Sequence, residues 1–208
     1  MLNPEEGKDF ILTSWFKFRK LPKDGERAVL ITKYDAKTAY KQGYALAVEK
    51  QASTGYRGSL FWQDIHNNGR WYTYGEIPLV TGKWFMFTAS YTSNKYLALY
   101  YTHELNGEII TELIGAYKVS ATPASKSDFK VGSLLSRVFD GRVGTVSIIK
   151  PANVDKNLEN IIKANFTKPR KFSKLYKKED VALWTVGAGE DLGKNNLKII
   201  KVGKPKKK

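Results

Sequence analysis

The sequence predicts an all-β sandwich with one short helix towards its C-terminal end. Three observations carry this. Apolar and polar residues alternate with a period of two in run after run. The runs are short and parted by clusters of Gly, Asn, Asp and Ser. Only one stretch places apolar residues at helical spacing. Many strands parted by turns rather than helices mean sheet packed on sheet, not a βαβ protein.

Phe10, Leu12, Phe16 and Phe18 share one side of a first strand, which Leu21-Pro22-Lys23-Asp24-Gly25 ends with turn chemistry. Ala28 to Thr32 is a short β-branched run. Tyr44, Leu46 and Val48 alternate between Gly43 and the loop 51–55. Leu60-Phe61-Trp62 and Arg70 to Tyr74 flank His66-Asn67-Asn68-Gly69, and Asn-Gly between two β-rich runs is a strong hairpin signal. Trp84 to Tyr91 reads as an aromatic strand, Tyr96 to Tyr101 as its return, and Asn106-Gly107 as the turn into Glu108–Tyr117. After a loop from Ser120 to Asp128 come Phe129 to Gly132 and then Arg142 to Ile149. Val154, Leu158, Ile161 and Ile162 recur at helical spacing, with Asn153 or Asp155 as cap, and predict a helix ending near Asn165. Val181 to Val186 is one more strand, 187–196 a polar Gly-rich loop, and Leu197 to Val202 a last short strand.

The 208 residues suit one large β-domain, or one with a short extension. Their 42% apolar and 13% aromatic content supports a substantial core. No run approaches the roughly 20 apolar residues that span a bilayer. Residues 1–9 carry three acids and no apolar stretch, so no secretory signal is read there. The absence of cysteine excludes disulfides and thiolate metal sites. The net charge of +15 is uneven: residues 1–162 hold 21 Lys and Arg against 16 Asp and Glu, and residues 163–208 hold 14 against 4. Such basicity suits acidic partners, whether phosphate backbones, acidic polysaccharide or an acidic protein surface, and also suits a simply solvated lysine-rich surface.

The order of these pieces resembles the laminin-G-like domain of the concanavalin A-like lectin/glucanase superfamily. Phe10 to Lys17 is similar to that family's opening strand with its Trp, here Trp15, and Gly43-Tyr44-Ala45-Leu46 to its glycine-led strand. Thr81-Gly82-Lys83-Trp84 through Tyr91 resembles the family's G-x-Trp strand, and Val131-Gly132 with Phe139 to Val146 its closing strands. Thr145 stands where the family often has an acid. The family's usual first strand is missing before Phe10, whereas Ala182-Leu183-Trp184 and the loop after it resemble that strand. The resemblance thus implies a concanavalin A-like jelly roll, circularly permuted. It would comprise a sandwich over 1–166, a basic linker over 167–180, C-terminal strands over 181–203 that either complete the same sandwich or form a separate strand pair or one donated to a neighbouring subunit, and a basic tail over 204–208.

Catalysis is not expected on this reading. The superfamily's glucanases place alternating carboxylates on one strand, one as nucleophile and one as acid. No Glu-x-Asp-x-Glu strand occurs here, and His66 and His103 are the only histidines. Glycan binding is the sharper possibility, because sugar rings stack on Trp and Tyr while amides and charged groups take the hydroxyls. Trp62, Asp64, His66, Asn67, Asn68, Arg70, Trp71 and Tyr72 combine these types about one hairpin. Against this stands the possibility that whichever of Trp62 and Trp71 faces inward simply fills the core. No cofactor is expected apart from calcium, for which Glu190, Asp191, Asn195 and Asn196 are oxygen ligands on one loop.

The leading expectation is a non-catalytic structural or adhesion module built into a larger assembly, such as a virion or cell-surface structure. Its partners would be other proteins of that assembly or further copies of the chain. The basic tail would meet an acidic surface or nucleic acid without reading sequence. A glycan-binding lectin-type module is the alternative, and a polysaccharide-acting enzyme comes third.

Overall fold

A computed structural model describes residues 3–5, 8–34, 42–52, 54–64, 69–134, 137–150, 154–167, 180–185 and 190–191. In chain order the elements are β1 (Phe10–Phe18), β2 (Arg27–Tyr34), β3 (Gly43–Gln51), β4 (Gly55–Gln63), β5 (Arg70–Ile77), β6 (Phe85–Tyr91) and β7 (Tyr96–Leu105). There follow β8 (Glu108–Lys118), β9 (Lys130–Val131), β10 (Ser133–Leu134), β11 (Arg137–Val138), β12 (Gly141–Lys150), α1 (Val154–Thr167), β13 (Asp180–Thr185) and β14 (Glu190–Asp191). They form a seven-stranded sheet in the order β14-β13-β12-β1-β6-β7-β8 and a five-stranded sheet in the order β5-β4-β3-β2-β9, with β10 and β11 as a small separate hairpin. All the pairings are antiparallel. The chain is therefore an all-β jelly-roll sandwich of two antiparallel sheets with one short helix.

The core follows from the alternation. Phe10, Leu12, Phe16 and Phe18 of β1 all point between the sheets, against Tyr44, Leu46 and Val48 of β3 and Leu60 and Trp62 of β4. Aromatic rings interlock there: Phe18 stacks on Phe85 at 5.7 Å between ring centres, and Trp62 on Tyr91 at 5.4 Å. The intervening residues of the seven-stranded sheet are buried too. Ile11, Met86 and Ile149 lie under Leu158, Ile161 and Ile162 of α1, which explains why this sheet's central strands are apolar on both faces. The helix runs two residues beyond the expected Asn165, to Thr167. Trp84 falls just outside β6.

At one side the edge strands of the two sheets meet. The Tyr117 hydroxyl of β8 donates to the Thr73 carbonyl of β5 at 2.9 Å, and its ring lies 5.0 Å from that of Tyr72. From β8 the chain crosses to the other sheet through residues 119–128. Lys33 holds this crossover by donating to the Ser125 and Ser127 carbonyls at 2.9 and 2.7 Å, and burial pushes its ammonium pKa down.

At the other side β13 pairs with β12, Val146 opposite Trp184 and Ile148 opposite Ala182, and so extends the seven-stranded sheet. The stretch 187–196, expected as a loop, contains the short strand β14, with Asp191 opposite Trp184. The strand expected over Leu197–Val202 lies outside the described residues. Among the described residues no helix is long and apolar enough to cross a membrane.

Candidate glycan-binding face

The eight hairpin residues do not form one site. Trp62 is 1% exposed and donates its indole N–H to the Ala121 carbonyl at 2.9 Å. Asp64, equally buried, accepts from the Ser120 hydroxyl at 3.0 Å and from the Ala121 N–H at 3.2 Å. Both side chains spend their polar atoms on the crossover 119–128, because a buried donor or acceptor left unpaired costs more than the bond contributes. Arg70 sits opposite Trp62 at the strand end, its guanidinium 5.4 Å from the centre of the Tyr72 ring. Tyr72 faces inward towards Tyr117, and burial raises its pKa against the opposing pull of Arg70. His66, Asn67 and Asn68 lie outside the described residues, as do Asn195 and Asn196; Glu190 and Asp191 form β14. Among the described residues no group of three or more His, Asp or Glu is placed to hold a metal ion.

Trp71 faces the other way, and it belongs to a different constellation. On the outward side of the five-stranded sheet the register lines up three rows across β2, β3, β4 and β5. The first is Arg27, Glu49, Arg57 and Glu76, alternating in charge; the second is Val29, Ala47, Ser59 and Thr73, all small; the third is Thr32, Ala45, Phe61 and Trp71. Tyr34 follows at the end of β2, its ring 4.8 Å from Phe61, which is in turn 5.4 Å from Trp71. Phe61 and Trp71 pack over the buried Val29, Ala45 and Ala47 and remain partly exposed themselves. Large rings flanking small side chains make a shallow aromatic floor on an otherwise polar sheet face.

The charged row borders that floor. Arg27 donates through Nε to Glu49 at 2.8 Å, and its Nη2 lies 2.7 Å from the same carboxylate oxygen. Thr73 and Gln51 each approach the Glu49 carboxylate at 3.5 Å. Arg57 meets Glu76 only at 3.8 Å. Three polar atoms on this face, Thr32 Oγ1, Ser59 Oγ and Arg57 Nε, are buried with no hydrogen-bond partner among the described residues. Partly exposed rings for stacking and a carboxylate–guanidinium edge are groups a saccharide requires. Of the described hairpin residues only Trp71 belongs to this face. Sequence reasoning missed Tyr34, Phe61, Arg27, Glu49, Arg57 and Ser59. The register across the Asn-Gly hairpin, which sets Phe61 rather than Trp62 opposite Trp71, is the signal that finds them.

No family model matches the chain, and no curated protein matches it in sequence. Solved structures do match. Full-length tailspike protein 2 from an Escherichia coli O157:H7 bacteriophage aligns at 8% identity with a TM-score of 0.53, over 76% of this chain and 22% of that one. The enzymatically active domain of bacteriophage CBA120 tailspike protein 2 aligns at 8% identity with a TM-score of 0.55, over 81% and 25%. The CBM40 of a Ruminococcus gnavus IT-sialidase, bound to α2,3-sialyllactose, aligns at 11% identity and 0.45, over 64% and 71%. The chain thus spans about a quarter of the tailspike chains it matches. The expectation that it is not an enzyme is corrected by this finding. A likeness to an enzymatically active domain means that lacking a Glu-x-Asp-x-Glu strand does not exclude catalysis. At such identities the likeness is one of architecture, and it agrees with the two-sheet jelly-roll sandwich described above.

Proposed function

We propose that the chain is a glycan-binding sandwich module whose site is the outward face of the five-stranded sheet. The observation that carries this is the run of partly exposed rings from Tyr34 through Phe61 to Trp71, bordered by the Arg27–Glu49 pair. A sugar ring set against the exposed parts of Phe61 and Trp71, beside the Arg27 guanidinium that covers part of the indole, gains apolar contact, and its hydroxyls reach the Glu49 carboxylate and the Arg57 guanidinium. Because the bordering row alternates in sign and cancels, this face suits a neutral saccharide. The laminin-G-like resemblance supports the reading, since that superfamily includes lectins.

Membership of a larger assembly is a second reading. It is supported by the tailspike likeness, in which this fold makes up about a quarter of a longer phage protein. A place on a virion or cell surface and the recognition of a host glycan go together in such a role.

A glycan array probed with the whole chain and with Trp71→Ala tests the proposal. Binding to a neutral glycan class that Trp71→Ala loses while it still melts cooperatively as a folded chain is the expected result. Equal binding by both proteins refutes the site.

A further inference from the structure

The opposite sheet carries a second aromatic cluster with a different electrostatic character. Trp84, just before β6, is 39% exposed, the most exposed of the tryptophans whose side chains are described. Its neighbours Phe85 and Met86 alternate inward and outward, and Trp84 falls on the outward side. Trp15 of β1 meets it nearly edge-on at 6.5 Å and lies 4.2 Å from the Phe166 ring at the end of α1. The Trp15 N–H donates to the Asn165 carbonyl at 3.3 Å, which fixes that indole between sheet and helix. Gly144 leaves the space both indoles occupy: a Cβ there would stand 2.9 Å from Trp15 Cβ and 3.4 Å from Trp84 Cζ3. Trp84 is therefore propped by Trp15 and Gly144 while part of its ring stays exposed.

One cation lies over it and two more are close in the sheet or the chain. The Lys17 ammonium lies 5.1 Å from the centre of the Trp84 ring, Arg142 is the register partner of Lys17 on β12, and Lys83 precedes Trp84 in the chain. Lys83 and Arg142 are exposed. Among the described residues none of the three pairs with a carboxylate, although nearby Arg19 binds Asp140 at 2.7 Å. On the five-stranded sheet, by contrast, Arg27 and Arg57 both face acids.

We infer that this patch is a second binding site, for an anionic saccharide. One sugar ring stacks on Trp84, while its carboxylate or sulfate meets Arg142, Lys17 and Lys83. Single-stranded nucleic acid is the competing occupant, but its binders present successive stacking rings along a basic groove. Here one ring is open and the other two are wedged against α1. The inference is independent of the first face, whose cations are already matched by acids.

The test is affinity electrophoresis of the whole chain in gels holding polygalacturonate or heparin, at about 50 mM salt, beside a dT oligonucleotide shift. Retardation by at least one of the two polysaccharides is expected, weakening as salt rises. Trp84→Ala should cut the affinity about tenfold and Arg142→Gln severalfold, while Trp71→Ala leaves it unchanged. Should Trp84→Ala melt early, the exposed pair Lys83→Gln with Arg142→Gln decides, since neither side chain supports the core. No retardation of the wild type overturns the site, and so does wild-type affinity in the Trp84 and Arg142 variants, which would place binding on the basic tail. Tighter binding of the oligonucleotide, lost in the same variants, overturns the saccharide assignment.

Discussion

The Arg27 guanidinium lies 4.6 Å from the centre of the Trp71 ring, although β3 and β4 stand between their strands. Side chains from opposite sides of the five-stranded sheet therefore reach over its small central residues and meet. Arg27 is held in turn by Glu49, so a fixed cation lies over the indole ring while Phe61 packs beside it. Such a preordered ring loses little freedom on meeting a ligand.

The two hairpin tryptophans should consequently behave as opposites. Trp71→Ala removes a partly exposed ring that also covers Val29, Ala45 and Ala47, so glycan binding is expected to vanish with a loss of stability smaller than that of the core tryptophan. Trp62→Ala empties a site within the core and leaves the Ala121 carbonyl without its donor, a destabilisation of about 3–5 kcal/mol. Urea denaturation of both variants alongside the array distinguishes them; similar losses of stability would place Trp71 in the core.

Gly43 should tolerate no side chain. Its φ is +153°, and a Cβ would stand 2.2 Å from the Lys33 carbonyl oxygen and 2.8 Å from Tyr34 Cα, both backbone atoms of β2. Gly43→Ala must push β2 away from β3 and should cost roughly 2 kcal/mol or more. Gly25→Ala, at φ +75° with nothing within 4 Å, should cost only about 1 kcal/mol. Melting temperatures that rank the other way would contradict this packing.

Glu5 gives the fold a dependence on acid. Hydrogen bonds from Lys150 and then Lys8 hold its carboxyl pKa at about 2, against an ordinary 4.5. A carboxylate favoured in the folded state stabilises fully above the unfolded value, and that contribution is lost as pH falls from about 4.5 towards 2. The Glu5 side chain is nearly half exposed, so solvent screening keeps the effect below about 1 kcal/mol. Glu5→Gln should therefore melt slightly earlier than wild type at neutral pH, with the gap closing in acid. A gap that persists near pH 2 would show that charge is not its source.

The C-terminal strands should be needed for solubility. β13 covers the edge of β12, whose backbone would otherwise stand unpaired beside the apolar Val146 and Ile148. A chain ending at Lys178 is expected to aggregate, whereas removing Lys204 to Lys208 should leave the melting transition in place. A soluble, cooperatively melting 1–178 fragment would make β13 dispensable.

Much of the sandwich was legible because one buried face writes itself into a strand as alternation: Phe10, Leu12, Phe16 and Phe18 are inward as their spacing implied. The site was less legible, because slipping a hairpin's register by one residue exchanges its two faces. Trp62 and Trp71 flank one turn yet point apart, since Trp62 pairs with Arg70 and Phe61 with Trp71. Asp64 has the character of a ligand group until its partner Ala121, 57 residues away, comes into view. The charged row Arg27, Glu49, Arg57 and Glu76 draws one residue from each of four strands, so no local window contains it.

β1 occupies the middle of the seven-stranded sheet, where Leu12 pairs with Ala89 on one side and Ile148 on the other. In kinetic terms this makes the topology slow, since the earliest strand must await its latest neighbour. At ribosomal speeds the interval between Leu12 and Ile148 is on the order of 10 s. Throughout it the β12 edge of β1 stands unpaired.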